Sequence, residues 1–200
     1  LVARQSHILL DSGAYSDASP LVAEKAGYRV SGPYRYQHVE SLCECVLTTT
    51  TPAGPYRGFG GTQATWASES QIDMIARRLG LDPMEMRLKN LVALHEPWMP
   101  GESGVDSDMA EGLALVAEEI GYDRPRDAAP GWSRGRGLAI GFKDGGGVNK
   151  PAQARVKVST GGDIHLMCGT VEIGQGARTA LAQVVAEILG APLARVEYLP

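Results

Sequence analysis

Apolar and polar positions alternate loosely over residues 36–48 (YQHVESLCECVLT), which are rich in β-forming residues and predict a strand, and residues 4–12 (RQSHILLDS) read as another. Between them, residues 20–29 (PLVAEKAGYR) predict a short helix, with Pro20 at the first helical position, where its missing N–H is harmless. Thr48 to Gly61 is rich in Thr, Pro and Gly, which excludes a helix and gives a loop long enough to be shaped for function. The period then lengthens. Ala64, Ser68, Ile72, Ile75 and Leu79 fall on one face of a helix that Gly80 ends.

Asp82-Pro83-Met84-Glu85 predicts a helix start, with Asp82 as N-cap and the helix running to Asn90. Asp108-Met109-Ala110-Glu111 repeats the pattern and predicts a helix to about Ile120. Residues 95–107 and 123–134 are connections. Residues 136–143 (RGLAIGFK) predict a strand, followed by a turn at Lys143 to Gly147. Ala154, Val156 and Val158 alternate with polar residues, as do Ile164, Leu166 and Cys168, and Gly161-Gly162 between them predicts a hairpin. Residues 177–189 predict a helix burying Leu181, Val184, Val185 and Ile188. The expected fold class is α+β: two small αβ subdomains, with mixed or antiparallel sheets and flanking helices. The chain opens at Leu1 inside one strand pattern and closes at Pro200 inside another, and is expected to be a fragment of a longer chain.

Composition narrows the function. A formal charge of −4 lacks the basic stripe of a nucleic-acid-coating protein. No run of about 18 apolar residues predicts a membrane span, and no secretory signal is read. Cys43 and Cys45, one residue apart on a predicted strand, and Cys168 make an odd number and read as reduced, buried thiols rather than a disulfide framework or metal site. Glu69 and Asp73, at i and i+4, are compatible with a metal or acid/base pair, but a solvated helix face is the expectation.

Two segments share one plan of strand, glycine-rich loop and amphipathic helix. These are Tyr56-Arg57-Gly58-Phe59-Gly60-Gly61-Thr62-Gln63 and Gly169-Thr170-Val171-Glu172-Ile173-Gly174-Gln175-Gly176. Glycine permits positive φ and close backbone approach to a ligand. The helix start that follows favours anions. Neither loop matches a nucleotide motif: Gln175-Gly176 stands where a P-loop has Lys-Ser/Thr, and Gln63 where the dinucleotide fingerprint has its third glycine. A plain strand-to-helix turn is the alternative for each. Arg57 offers a fork of donors for an oxo or anionic group, Phe59 a flat face, and Gln175 an amide between glycines. Glu172 could act as a base, but a carboxylate near a helix start is the expected role.

Pro55 to Gln63, followed by Glu69, Asp73, Ala76, Leu79-Gly80-Leu81-Asp82-Pro83, Arg87 and Asn90-Leu91, resembles the molybdenum-cofactor-binding large subunit of the xanthine dehydrogenase / aldehyde oxidase family. Gly169 to Gly176, with Thr179, Gln183, Ala186-Glu187 and Leu189-Gly190, resembles that family's second cofactor loop. The resemblance implies that residues 1–104 and 105–200 are parts of two molybdenum-cofactor-binding subdomains. It implies an enzyme that hydroxylates a heterocycle or aldehyde with oxygen from water. Electrons would leave through iron–sulfur clusters to FAD in partner subunits or domains. The cofactor is expected to be molybdenum–molybdopterin, in its cytosine dinucleotide form, and the location cytoplasmic.

On this resemblance Arg57, Gly174, Gln175 and Gly176 would line the cofactor and Phe59 would stack on substrate. No catalytic residue falls within these 200 residues, because the family's catalytic glutamate lies in a Gly-Glu motif nearer the C-terminus. Thr62 departs from the family's usual proline, which bears on where the helix starts. Asp144 and a glycine run occupy the stretch near 140–147 where an aromatic is expected, which leaves the substrate class open. The alternatives are a relative that removes a hydroxyl reductively from an aromatic thioester, and a non-catalytic cofactor-holding or maturation protein.

Overall fold

A computed structural model describes residues 1–125, 128–143 and 151–199. The chain forms two compact units, residues 1–144 and 145–200. It is an α+β protein.

The first unit opens with a β-α-β unit. Strand β1 (Ala3–Asp11) leads through helix α1 (Ser19–Arg29) to β2 (His38–Val46). The strands pair in parallel, from Ala3 against His38 to Asp11 against Val46. A helical crossover enforces that direction, because a tight hairpin can join only antiparallel strands. Helix α1 lies close on β2: a Cβ on Gly27 would sit 2.4 Å from Cys43 Sγ. Cys43 and Cys45 are free and half-buried.

Helix α2 (Gly61–Leu79) starts three residues before the apolar stripe that signals it. Ala64 packs with Ala26 and Val30 of α1. The buried stripe is Ala64, Ser68, Ile72 and Ala76, with Glu69 beside it, while the expected Leu79 is exposed. Gly80 ends the helix at φ +67°, donating to the Ala76 and Arg77 carbonyls. The Asp82 side chain caps α3 (Pro83–Asn90), accepting from the N–H groups of Met84 and Glu85. Such a cap contributes about 1 kcal/mol. Asp108 caps α4 (Met109–Glu119) through the N–H of Glu111.

Residues 136–143 do not form the expected strand. Leu138 is buried against Leu113 and Ala117 of α4. The N–H of Ile140 donates to Glu69 Oε2 at 3.0 Å, so this segment spends a donor on a buried carboxylate instead of a neighbouring strand. The expected turn from Lys143 to Gly147 lies outside the described residues from 144 onward.

The second unit holds a three-stranded mixed sheet in the order β3-β4-β5. Strands β3 (Ala154–Val158) and β4 (Ile164–Cys168) form the expected hairpin, with Gly162 at φ +85° in the turn. Helix α5 (Ala177–Leu189) and a 3₁₀ turn (Leu193–Arg195) return the chain to β5 (Val196–Leu199), parallel to β4. The face of α5 differs from the one expected. Ala182 and Ala186 are buried, Leu181 and Val185 are half-buried, and Val184 and Ile188 are exposed. Small residues four apart let the helix sit close on its neighbours, and the larger branched residues turn outward.

Candidate functional site

The first glycine loop winds through three successive left-handed residues: Gly58 at φ +91°, Phe59 at +50° and Gly60 at +79°. That conformation costs a non-glycine residue about 1–2 kcal/mol, so Phe59 is held there by its surroundings. Two contacts hold it. Arg29, buried on α1, donates from Nη1 to the Phe59 carbonyl at 3.4 Å. Gly60 packs so tightly on α1 that a Cβ would lie 2.4 Å from the Val22 carbonyl oxygen.

Helix α2 follows at once, and no side chain caps its N-terminus. A cavity of about 180 Å³ opens here, lined by Arg57, Phe59, Gly60 and Gln63 together with Asp11, Ser19 and residues 53–55. Among the described residues the Arg57 guanidinium has no hydrogen-bond or ion-pair partner. Sequence reasoning thus singles out two residues, Arg57 and Phe59, that share one cavity. It overlooked Asp11, whose carboxylate accepts from Thr48 Oγ1, the Gly13 N–H and Thr50 Oγ1. The Thr48 hydroxyl foremost, then the Gly13 N–H, hold that carboxyl below its usual range. The bonds to Thr48 and Thr50 tie Asp11 to the segment that leads into residues 53–55, which also line the cavity.

Behind α2 lies a buried ionic network. Arg87, fully buried, donates from Nε to Glu69 Oε2 at 2.9 Å and from Nη1 to Asp73 Oδ1 at 2.7 Å. Glu69 Oε1 accepts from the Tyr34 hydroxyl at 2.6 Å. Burial, then that hydrogen bond, push the Tyr34 phenol far above its ordinary value. Burial pulls the Arg87 guanidinium down, but Asp73 and Glu69 outweigh it and hold it above its ordinary value. Glu69 is therefore neither a solvated helix-face residue nor half of a metal pair: it is a charge-paired core residue. Among the described residues no group of three or more His, Cys, Asp or Glu side chains is gathered to hold a metal ion.

The second loop is built differently. Gly174 (φ +92°) and Gly176 (φ +77°) are left-handed, and a Cβ on either would meet nothing within 4 Å. Their open faces leave room for a ligand to approach the backbone. The N–H groups, however, already have an acceptor. Glu172 Oε1 accepts from Gly174 N at 2.8 Å and Gly176 N at 3.0 Å, and Oε2 accepts from Arg178 N at 3.3 Å. The Gly176 N–H foremost holds the Glu172 carboxyl below its ordinary range. Glu172 is thus the carboxylate of a helix start. Gln175 spans the same loop, accepting from Ile173 N and donating to the Val171 carbonyl, both at 2.7 Å. Tyr198 on β5 donates to the Cys168 carbonyl at 2.6 Å and fastens the loop's first end.

An aromatic does occupy the stretch near 140. Phe142 lies 5.0 Å from the Trp98 ring, which meets Tyr28 edge-on at 4.8 Å. The glycine run that follows had obscured it as a candidate.

An unpaired guanidinium, an aromatic ring and an uncapped helix start lie together at the first loop, an arrangement that can receive an anionic group. Residues 1–91 match one family described as a molybdopterin cofactor-binding domain, and residues 115–199 match a second of the same description. The chain is 32% identical over 194 residues to a probable xanthine dehydrogenase subunit of Bacillus subtilis, covering 95% of this chain and 26% of that one. It is 30% identical over 202 residues to a putative xanthine dehydrogenase molybdenum-binding subunit of Escherichia coli, covering 96% of this chain and 27% of that one. The crystal structure of quinoline 2-oxidoreductase from Pseudomonas putida superimposes with a TM-score of 0.74 at 24% identity, over 98% of this chain and 28% of that one, and shares the fold. The chain thus spans about a quarter of the length of the curated relatives it matches.

Proposed function

Because the chain belongs to the molybdopterin cofactor-binding family of xanthine dehydrogenase and aldehyde oxidoreductase molybdenum-binding subunits, we propose that it forms part of a molybdenum hydroxylase in which each of its glycine loops contacts molybdopterin. The observation that carries this reading is the shared cavity of Arg57 and Phe59 at the uncapped start of α2. When bound, molybdopterin supplies the redox chemistry, and the protein supplies position and electrostatics.

Arg57 would direct its fork of donors at the oxygen-bearing part of the cofactor. Such charge-assisted bonds are the strong ones. Gly174 and Gly176 would let the pterin approach the backbone where a side chain would stand in the way, and Gln175 would line it while keeping the loop in shape. Phe59 would lay its ring along a planar substrate, a heterocycle or aldehyde hydroxylated with oxygen from water. The division between the two cofactor-binding parts is put at 104/105, between the two matched stretches. Helix α4 lies beyond that division, yet belongs to the first compact unit. The relatives' names mark them as single subunits of larger assemblies. That supports partner subunits; that these carry iron–sulfur clusters and FAD, that the cofactor takes its cytosine dinucleotide form and that the location is cytoplasmic are part of the same proposal. Among the described residues no helix is long and apolar enough to cross a membrane.

The substrate role of Phe59 has its own test. In the full-length protein Phe59→Ala lowers kcat/KM about tenfold, the scale of a lost aromatic contact plus its buried area, while molybdenum content stays at the wild-type level. Steady-state kinetics on a panel of purines, aldehydes and N-heterocycles, alongside metal analysis, provides the check. Unchanged kinetics would remove Phe59 from the substrate site.

A further inference from the structure

The cavity of the first loop has another polar side chain, Gln63, the third residue of α2. Its orientation is set by its neighbour. Thr62 Oγ1 donates to Gln63 Oε1 at 2.8 Å. That bond engages the acceptor side of the carboxamide. The two N–H groups on Nε2 have no partner among the described residues. A carboxamide can offer either an acceptor or a donor, and a hydroxyl donating to its oxygen settles which end remains. What remains here is a donor, on the same cavity as the unpaired Arg57 guanidinium and beside a helix start that no side chain caps. Three donor sources thus converge: guanidinium, carboxamide N–H and the α2 N-terminus. Asp11, the carboxylate among the cavity's lining residues, is already engaged by Thr48, Thr50 and Gly13.

We propose that Gln63 is a further binding residue of this site, donating from Nε2 to the oxygen-bearing part of the bound cofactor alongside Arg57, and that the Thr62 hydroxyl is its positioning group. The proposal rests on the reading of the cavity as a cofactor site. It predicts that the pair Thr62–Gln63 governs how tightly the cofactor is held, independently of turnover.

The test uses the full-length protein with its partner subunits, and reads the half-time of molybdenum release on dialysis together with the pterin content. Gln63→Ala shortens that half-time about three- to tenfold, the loss of one ordinary hydrogen bond from an uncharged donor. Gln63→Glu shortens it at least as much, since a carboxylate replaces donors with a negative charge. Thr62→Val shortens it about two- to threefold through the unfixed carboxamide, and Thr62→Ser restores it. Both side chains are exposed, so the melting temperature of the cofactor-free protein stays at the wild-type value in all four. Wild-type release from both Gln63 variants, in a protein whose Arg57→Ala form loses molybdenum, would overturn this inference and leave the cofactor site standing. Full retention in Arg57→Ala would overturn the site itself. A fall in melting temperature that tracks the faster release would reduce Gln63 to a structural residue and also overturn the proposal. Wild-type release in Thr62→Val alone would remove the positioning role.

Discussion

Arg87→Ala lowers the unfolding free energy by about 3–5 kcal/mol, the cost of removing one partner from a buried ion pair. The residue is fully buried, and its guanidinium also bonds the Pro83 carbonyl at 3.0 Å. Its loss leaves Glu69 as an uncompensated charge in the core, still facing the Tyr34 hydroxyl and the Ile140 N–H. The network joins α2, α3, Tyr34 and the 138–140 segment, so the damage reaches the helix that carries the first loop. Glu69→Gln costs less, because the carboxamide oxygen still accepts one hydrogen bond and no charge is stranded. Denaturant unfolding of the two variants gives the ranking. A cost below about 1 kcal/mol for Arg87→Ala would mean that the network is solvated and contributes little.

Arg57→Ala lowers cofactor affinity by about 10- to 150-fold, the range of a hydrogen bond to a charged group worth 1.5–3 kcal/mol. The reason lies in what the guanidinium lacks. No partner among the described residues satisfies it, so its donors are spent on a ligand or on water. Arg57→Lys recovers only part of the loss, because an ammonium keeps the charge but not the planar fork. Metal analysis of the purified full-length variants is the measurement. Wild-type molybdenum in Arg57→Ala would take Arg57 out of the cofactor site. The fold would be untouched, since the side chain packs against nothing that the core requires.

Local chemistry was the most legible part of the sequence. Asp82 and Asp108 cap the helices they announce, and Gly80 ends its helix in the left-handed conformation that glycine tolerates. Each is decided within four residues. Glu69 was not legible, because its burial depends on Arg87, 18 residues away on another helix. Periodicity misled where packing distance overrode hydrophobicity. On α5 the alanines turn inward and Ile188 outward, although the branched residues carry the stronger apolar signal. The alternation at 136–143 is equally suited to an extended segment that gives its N–H to a side chain, and no propensity separates that from a strand. At the candidate site the unusual residues, Arg57 and Phe59 among glycines, stood out by composition. Arg29, Asp11 and Gln63 did not, since only the fold brings α1, β1 and the start of α2 to one loop.

Each glycine loop is proposed to contact molybdopterin, and an experimental structure of the full-length protein with its cofactor tests this most directly. The expected result is the Arg57 guanidinium in hydrogen-bond contact with molybdopterin, and the backbone of Gly174 to Gly176 in van der Waals or hydrogen-bond contact with it as well. A loop that faces solvent or a different ligand in the loaded protein would contradict it.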